Sequence, residues 1–203
     1  MGHPVDLKTL TAALEHAPAR PPMRISSDYD LNPGVVLPEG RVLRPAAVLI
    51  AVLAGPDGDE VILTVRASTL KHHPGQIAFP GGKIDGAETA AEAALREAHE
   101  EIGLEPSNVS LLAELPAHET VTGYNVIPIL ARVAADFTPT PEAGEVAEVF
   151  RVPLSFLLTP ANYAIEGRRW RGARRQYYVV PYGPYYIWGA TARMLKSLAD
   201  QVA

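Results

Sequence analysis

Glu97, Glu100 and Glu101 stand at i, i+3 and i+4 in a chain of 203 residues, so a helix across them puts three carboxylates on one face. At that spacing they repel one another unless a cation or an arginine neutralises them, and an all-oxygen set suits Mg²⁺ or Mn²⁺ better than zinc. The flanking residues dictate the helix. Thr89 with Glu92 three positions on is a capping box, Ala90 to Ile102 contains no helix breaker, and Gly103 with Pro106 beyond it reads as a left-handed cap and stop. Arg96 is placed to pair with Glu88 or Glu100 through charge-assisted bonds, orienting the carboxylates around it. A solvated acidic helix face is the plainer alternative.

The surrounding positions argue against that alternative. Gly82, Glu88, Arg96-Glu97, Glu100-Glu101 and Gly103-Leu104 fall at fixed spacings, and the segment resembles the Nudix box at each of them, with Ala98 small where a larger aliphatic is common. The resemblance implies an α/β fold, a Nudix-like α/β/α sandwich with a mixed central β-sheet. It also implies hydrolysis of a nucleoside diphosphate linked to another moiety, by water attack on phosphorus. Glu97 and Glu101 become the first metal ligands, Glu100 a further ligand or the base, and a backbone carbonyl near Gly81 or Gly82 completes the site. Glu119, Glu142, Glu145 and Glu148 compete with Glu100 for the base. Glu145 leads among them because it follows a Pro/Gly loop of the kind that reaches active sites.

Just upstream, residues 62–82 read Ile-Leu-Thr-Val-Arg-Ala-Ser-Thr-Leu-Lys-His-His-Pro-Gly-Gln-Ile-Ala-Phe-Pro-Gly-Gly. This resembles the motif that marks the coenzyme A pyrophosphatase branch of the Nudix family, through Leu63, Thr64, Arg66, Ala67, Gly75, Phe79, Pro80, Gly81 and Gly82. Lys71 stands where the branch usually has arginine, keeping the charge without the planar bidentate fork. The substrate implied is coenzyme A or a derivative, cut to 3′,5′-ADP and 4′-phosphopantetheine or its acyl form, with Arg66, Lys71, His73, Gly75 and Phe79 among its contacts. Looser matches run from about residue 44 to residue 198. A Nudix pyrophosphatase for a dinucleotide cofactor, ADP-ribose or an oxidised nucleoside triphosphate is the runner-up. A nucleotide-sensing domain without catalysis is disfavoured because the box keeps all its carboxylates.

Arg168, Arg169, Arg171, Arg174 and Arg175 place five cations in eight positions around Trp170. A clamp for the 3′-phosphate or adenine, drawing on Arg168, Arg169 and Arg171, stands beside an exposed hairpin loop of solvated arginines. RNA contact is a weaker third reading, since one aromatic is embedded in the cluster.

The positioning elements follow from hydrophobic pattern. Ala46 to Leu53 is a continuous apolar run suited to a strand buried on both faces, answered by Glu60 to Arg66 across the turn Gly55-Pro56-Asp57-Gly58. Strands are expected over 109–115, 125–133, 176–180 and 185–187, with Pro128 suggesting an edge or bulge. Residues 146–152 are ambiguous, a short helix is expected over 154–158, and Gly189 to Val202 carries helical spacing. Residues 5–16 suit an amphipathic helix, which with an irregular arm makes up 1–43, ahead of one domain over 44–203.

A net charge of −5 and pI near 5.7 argue against broad nucleic-acid or anionic-membrane binding. The absence of cysteine removes thiolate ligands and nucleophiles and fits a reducing compartment. The N-terminus lacks a signal-peptide core, Asp6 stands where myristoylation wants Ser or Thr, and no apolar run reaches bilayer length. A soluble cytoplasmic protein is expected, with the small nucleotide substrate as partner, no nucleic acid, no membrane, and a homodimer left possible.

Overall fold

The computed structural model describes residues 6–15, 23–70, 74–170 and 173–203. In chain order the elements are α1 (Leu7–Glu15), β1 (Ser26–Ser27), β2 (Arg44–Gly55), β3 (Gly58–Arg66), β4 (Ile77–Ala78), β5 (Gly81–Lys83) and α2 (Ala90–Ile102). There follow β6 (Val109–Glu114), β7 (His118–Glu119), β8 (Tyr124–Val133), β9 (Val146–Pro153), α3 (Leu154–Leu157), β10 (Ala164–Trp170), β11 (Ala173–Tyr182), β12 (Tyr185–Trp188) and α4 (Gly189–Val202).

The long apolar run of β2 becomes the spine. It pairs in parallel with β8 on one side and antiparallel with β3 and β5, while β9 and β4 extend β3, and β6 and β7 extend β8. Because side chains alternate across a strand, β2 feeds two cores at once. Ala47, Leu49, Ala51 and Leu53 join Ala93, Ala94, Ala98 and Ile102 of α2 on one face. Ala46, Ile50 and Val52 join Leu7 and Leu10 of α1 and Leu195 and Leu198 of α4 on the other. This is a mixed central sheet between helices. The alanine face of α2 contains Ala98, which is 1% exposed; its small side chain lets the helix lie close on the sheet.

A second, antiparallel sheet is built from β10, β11 and β12. Val180 and Ile187 sink from it into the α4-side core, and Thr191 at the start of α4 donates its hydroxyl to the Ile77 carbonyl at 3.0 Å. The N-terminal residues are fastened to the same body. Leu7 and Leu10 are buried, the Leu7 amide donates to Asp59 at 2.8 Å, and β1 pairs in parallel with β7. At that pairing the fully buried His118 is hydrogen-bonded to Ser26 at 2.9 Å and Asp28 at 3.2 Å.

Three expectations change. Pro128 does not mark an edge, since β8 is flanked by β2 and by β6 and β7. Its carbonyl accepts the Leu115 amide at 2.9 Å where pairing passes from β6 to β7, so the missing N–H falls at a break in the ladder. The nearby bulge lies in β6, between Leu111 and Ala113. Residues 146–153 are strand rather than helix lead-in, and the arginines at 168, 169, 174 and 175 sit on the arms of the β10–β11 hairpin rather than on a loop. Among the described residues no helix is long and apolar enough to cross a membrane.

Because Leu10 is 0% exposed, Leu10→Ala should lower unfolding free energy by roughly 3 kcal/mol, as for a deep large-to-small core substitution. Urea unfolding followed by tryptophan fluorescence measures it. A loss within about 0.5 kcal/mol, the scatter of surface substitutions, would mean that α1 does not share the core.

Candidate active site

Helix α2 starts on the capping box: Glu92 donates its amide to Thr89 Oγ1 at 3.2 Å, and Thr89 returns its own to Glu92 Oε2 at 2.8 Å. It ends on Gly103, which is left-handed at φ 69° and donates back to the last turn. Strand β5 brings the chain across this helix. A Cβ at Gly81 would lie 2.4 Å from the Ala47 carbonyl oxygen, and one at Gly82 would lie 2.4 Å from the Glu97 carboxyl carbon. Two glycines therefore let bare main chain fit between the β2 backbone and the acidic helix.

Arg96 organises the rim. Its guanidinium donates to both Glu88 oxygens at 2.7 and 3.1 Å, to Glu97 at 2.9 Å, to Glu100 at 3.0 Å and to the Lys83 carbonyl at 3.1 Å. Both partners expected for Arg96 are thus engaged, with Glu97 as a third. The Arg96 hydrogen bonds, followed by the Asp85 amide, hold Glu88 below the ordinary carboxylate range.

The other carboxylates respond to burial. Glu101 is 4% exposed and accepts the Gly81 amide at 3.0 Å. Desolvation pushes its pKa up to about 7 against that hydrogen bond, and repulsion from Glu97 and Glu145 adds to the rise. Glu97 is raised for the same first reason, opposed by Arg96 and reinforced by Glu100 and Glu145. Two desolvated carboxylates beside a glycine main chain form a donor set that a divalent cation fits. Glu100 differs. Its side chain is 57% exposed and turned to Arg96 at the outer edge. Among the described residues no three His, Asp or Glu side chains are gathered as a set that could hold an ion, and Arg96 is hydrogen-bonded to Glu97 and Glu100.

Glu145 arrives from far along the chain. The loop before β9 is hydrogen-bonded to the end of α2, Thr140 to Ile102 at 3.0 Å and Glu142 to Glu101 at 2.9 Å, and the Glu145 carbonyl accepts the Ala67 amide at 2.8 Å. That path carries the Glu145 charge onto Glu97 and Glu101. The rival carboxylates are otherwise engaged. Glu119 pairs with Arg41, Glu148 accepts the Tyr185 hydroxyl at 2.5 Å, and Glu142 accepts the Gly144 amide at 2.8 Å.

Arg66 joins the site to the upstream turn. Its charge stabilises the Glu101 carboxylate, its amide donates to the Gln76 carbonyl, and its carbonyl accepts the Gly75 amide, both at 3.0 Å. Gly75 lines a cleft of about 250 Å³ with Pro74, Gln76, Arg168 and Trp188. Arg169, one residue on, is absent from that lining, as alternation along β10 requires. Phe79, named above as a substrate contact, is 2% exposed within the α4-side core and supports the loop from beneath. Lys71, His73 and Arg171 lie outside the described residues. Gln76 was not singled out by the sequence, whereas Trp188 lies in Ile187-Trp188-Gly189-Ala190-Thr191, one of the looser matches to the branch, whose plainer reading is core and turn.

The NUDIX domain model matches residues 43–171, more than half of the chain. The chain belongs to the Nudix family. The Nudix hydrolase NudL of Enterobacter sp. (strain 638) is 39% identical over 160 residues, covering 78% of this chain and 83% of that protein. NudL of Pectobacterium atrosepticum is 38% identical over 163 residues, covering 79% and 83% respectively. Among solved structures, the Nudix hydrolase RenU of M. smegmatis has 27% identity and a TM-score of 0.46, over 58% of this chain and 81% of that one. Nudix hydrolases act on small nucleotide-derived substrates and generally use divalent metal ions, so the Nudix helix α2 and its glycine turn are where metal chemistry is sought.

The raised Glu101 pKa has a consequence for stability. Between the ordinary value of 4.5 and about 7, the native state retains a proton that the unfolded chain has released, so stability falls as pH rises through that window. Metal-free protein should melt at a lower temperature at about pH 8 than at about pH 5 on this account, and Glu101→Gln should flatten the difference. Calorimetric melting across pH checks it. An unchanged slope in Glu101→Gln would assign the dependence to another group.

Proposed function

We propose that this Nudix hydrolase cleaves the pyrophosphate of coenzyme A or a derivative, releasing 3′,5′-ADP and 4′-phosphopantetheine or its acyl form. The observation that carries the reading is the continuity from Glu97 and Glu101, through Arg66, to the 74–76 turn and its cleft. That path follows the segment resembling the coenzyme A pyrophosphatase motif.

Glu97 and Glu101, with a main-chain carbonyl of Gly81 or Gly82, would hold Mg²⁺ or Mn²⁺, which when bound polarises the pyrophosphate oxygens and lowers the pKa of the attacking water. The chain's own residues supply the rest. Arg96, locked by Glu88, holds Glu97 in place from the solvent side. Arg66 offsets the negative charge brought by substrate. Glu145, whose carboxylate reaches both ligands by its charge and has no hydrogen-bond donor among the described residues, takes the proton of the water. The water oxygen bonds to phosphorus, and the bridging P–O bond breaks with its electron pair leaving on the departing phosphate. Glu100, drawn to Arg96 at the exposed edge, is the lesser candidate for the base.

Glu101→Gln and Glu97→Gln should each reduce turnover by a factor on the order of 10³ while circular dichroism and melting show a folded protein. Near-normal turnover in either variant would move the metal ligands elsewhere. The substrate is settled with a panel of nucleotide pyrophosphates assayed with Mg²⁺ and with Mn²⁺, products being identified by mass spectrometry. Faster cleavage of ADP-ribose or a dinucleotide than of coenzyme A would replace the coenzyme A reading. For the base, Glu145→Gln should cost on the order of 10² or more in turnover, with Glu100→Gln costing less. The reverse order would make Glu100 the proton acceptor.

A further inference from the structure

We infer that the cleft between Arg168–Trp188 and the 74–76 turn is an anion subsite that takes a phosphomonoester carried on the nucleoside half of the substrate. The inference rests on the coenzyme A reading above, whose nucleotide half bears such a group. At about 250 Å³, the cleft is smaller than pockets that enclose a whole ligand, which begin near ~300 Å³. It suits a terminal group.

Arg168 supplies the charge. Its guanidinium lies 4.5 Å from the Trp188 ring centroid, and among the described residues it makes no ion pair and no hydrogen bond. Stacking on an aromatic face orients the guanidinium plane and leaves its N–H edge for a bidentate grip on phosphate. The hairpin itself favours an anion there. Arg168 stands directly opposite Arg175, and the next pair is Arg169 opposite Arg174. Like charges directly across a ladder destabilise it, and Arg168, with no carboxylate partner among the described residues, leaves its side of that repulsion for a bound anion to offset. A dianionic phosphate at Arg168 relieves that repulsion.

Gln76 faces the same cleft, and its side-chain amide has no partner among the described residues. It offers a neutral donor beside the charged one. The cleft is also coupled to the reacting end, since Gly75 and Gln76 exchange main-chain hydrogen bonds with Arg66, whose charge stabilises Glu101. One segment thus presents both ends of an extended nucleotide.

The test compares coenzyme A with dephospho-coenzyme A in the full-length wild type, Arg168→Gln and Arg168→Lys, together with metal-free calorimetric titration of each by 3′,5′-ADP and by 5′-AMP. The wild type should prefer coenzyme A by roughly tenfold or more in kcat/KM, the worth of a charge-assisted contact, expressed mainly in KM. That ratio should approach one in Arg168→Gln and be intermediate in Arg168→Lys, which keeps charge without the fork. The titrations should show the same order for 3′,5′-ADP over 5′-AMP. Equal use of the two substrates by the wild type, or a preference that survives in Arg168→Gln, overturns the subsite while leaving the coenzyme A reading intact. If the wild type cleaves neither, that reading fails, and the 3′,5′-ADP titrations decide the cleft alone: an Arg168-dependent preference sustains it, and its absence overturns it.

Discussion

Glutamates crowded onto one helix face must each find positive charge or a donor, and the way this chain distributes those partners shapes everything around the site. Arg96 takes the outer set, fanning its five N–H groups over Glu88, Glu97, Glu100 and a main-chain carbonyl. Individual ion pairs at such half-exposed positions are worth little in stability. Their effect is geometric, because one planar guanidinium fixes several carboxylates relative to one another. Glu101 lies beneath, with the Gly81 amide as its bonded donor and Arg66 as its nearest favourable charge. Its desolvation keeps a proton bound at a pH where ordinary carboxylates have lost theirs.

That arrangement requires the helix to lie close to both the sheet and the glycine turn. The alanines of α2 satisfy the first demand, since Ala93, Ala94 and Ala98 meet Ala47 and Leu49 of β2 with no bulky side chain between. Gly81 and Gly82 satisfy the second, because any Cβ would collide with the β2 backbone or with Glu97 itself. The same strand that receives the helix pairs with β5, so the Ala47 and Val48 register fixes where the turn crosses the carboxylates. Core packing and site geometry are here one constraint.

Much of this was readable in advance. The capping box, the Gly103 stop, the i, i+3, i+4 glutamates and the alternation of β2 are local patterns whose physical cause lies within one turn of helix or one strand. They determined the acidic helix and the buried spine, while the family was legible only through the resemblance of the whole 82–104 segment to the Nudix box. Arg96's pairing was legible as a choice of two partners, since Glu88 lies just before the Thr89 cap and Glu100 one helical turn on.

Other features were settled only by tertiary structure, because they depend on partners distant in sequence. That Glu100 turns outward, that Glu145 rather than Glu148 sends its charge to Glu97 and Glu101, and that Phe79 is core depend on where the 134–145 loop and α4 pack. Periodicity also could not separate Arg168 from Arg169 within a run of arginines, since strand direction alone decides which side chain meets Trp188. Residues 5–16 read as an amphipathic helix with no partner assigned to its apolar face, and Leu10 fills a core completed by α4, nearly the whole chain later. Local spacing specifies which residues share a face. What that face meets is decided by long-range packing, where burial, exclusion of water and the nearest opposite charge act together.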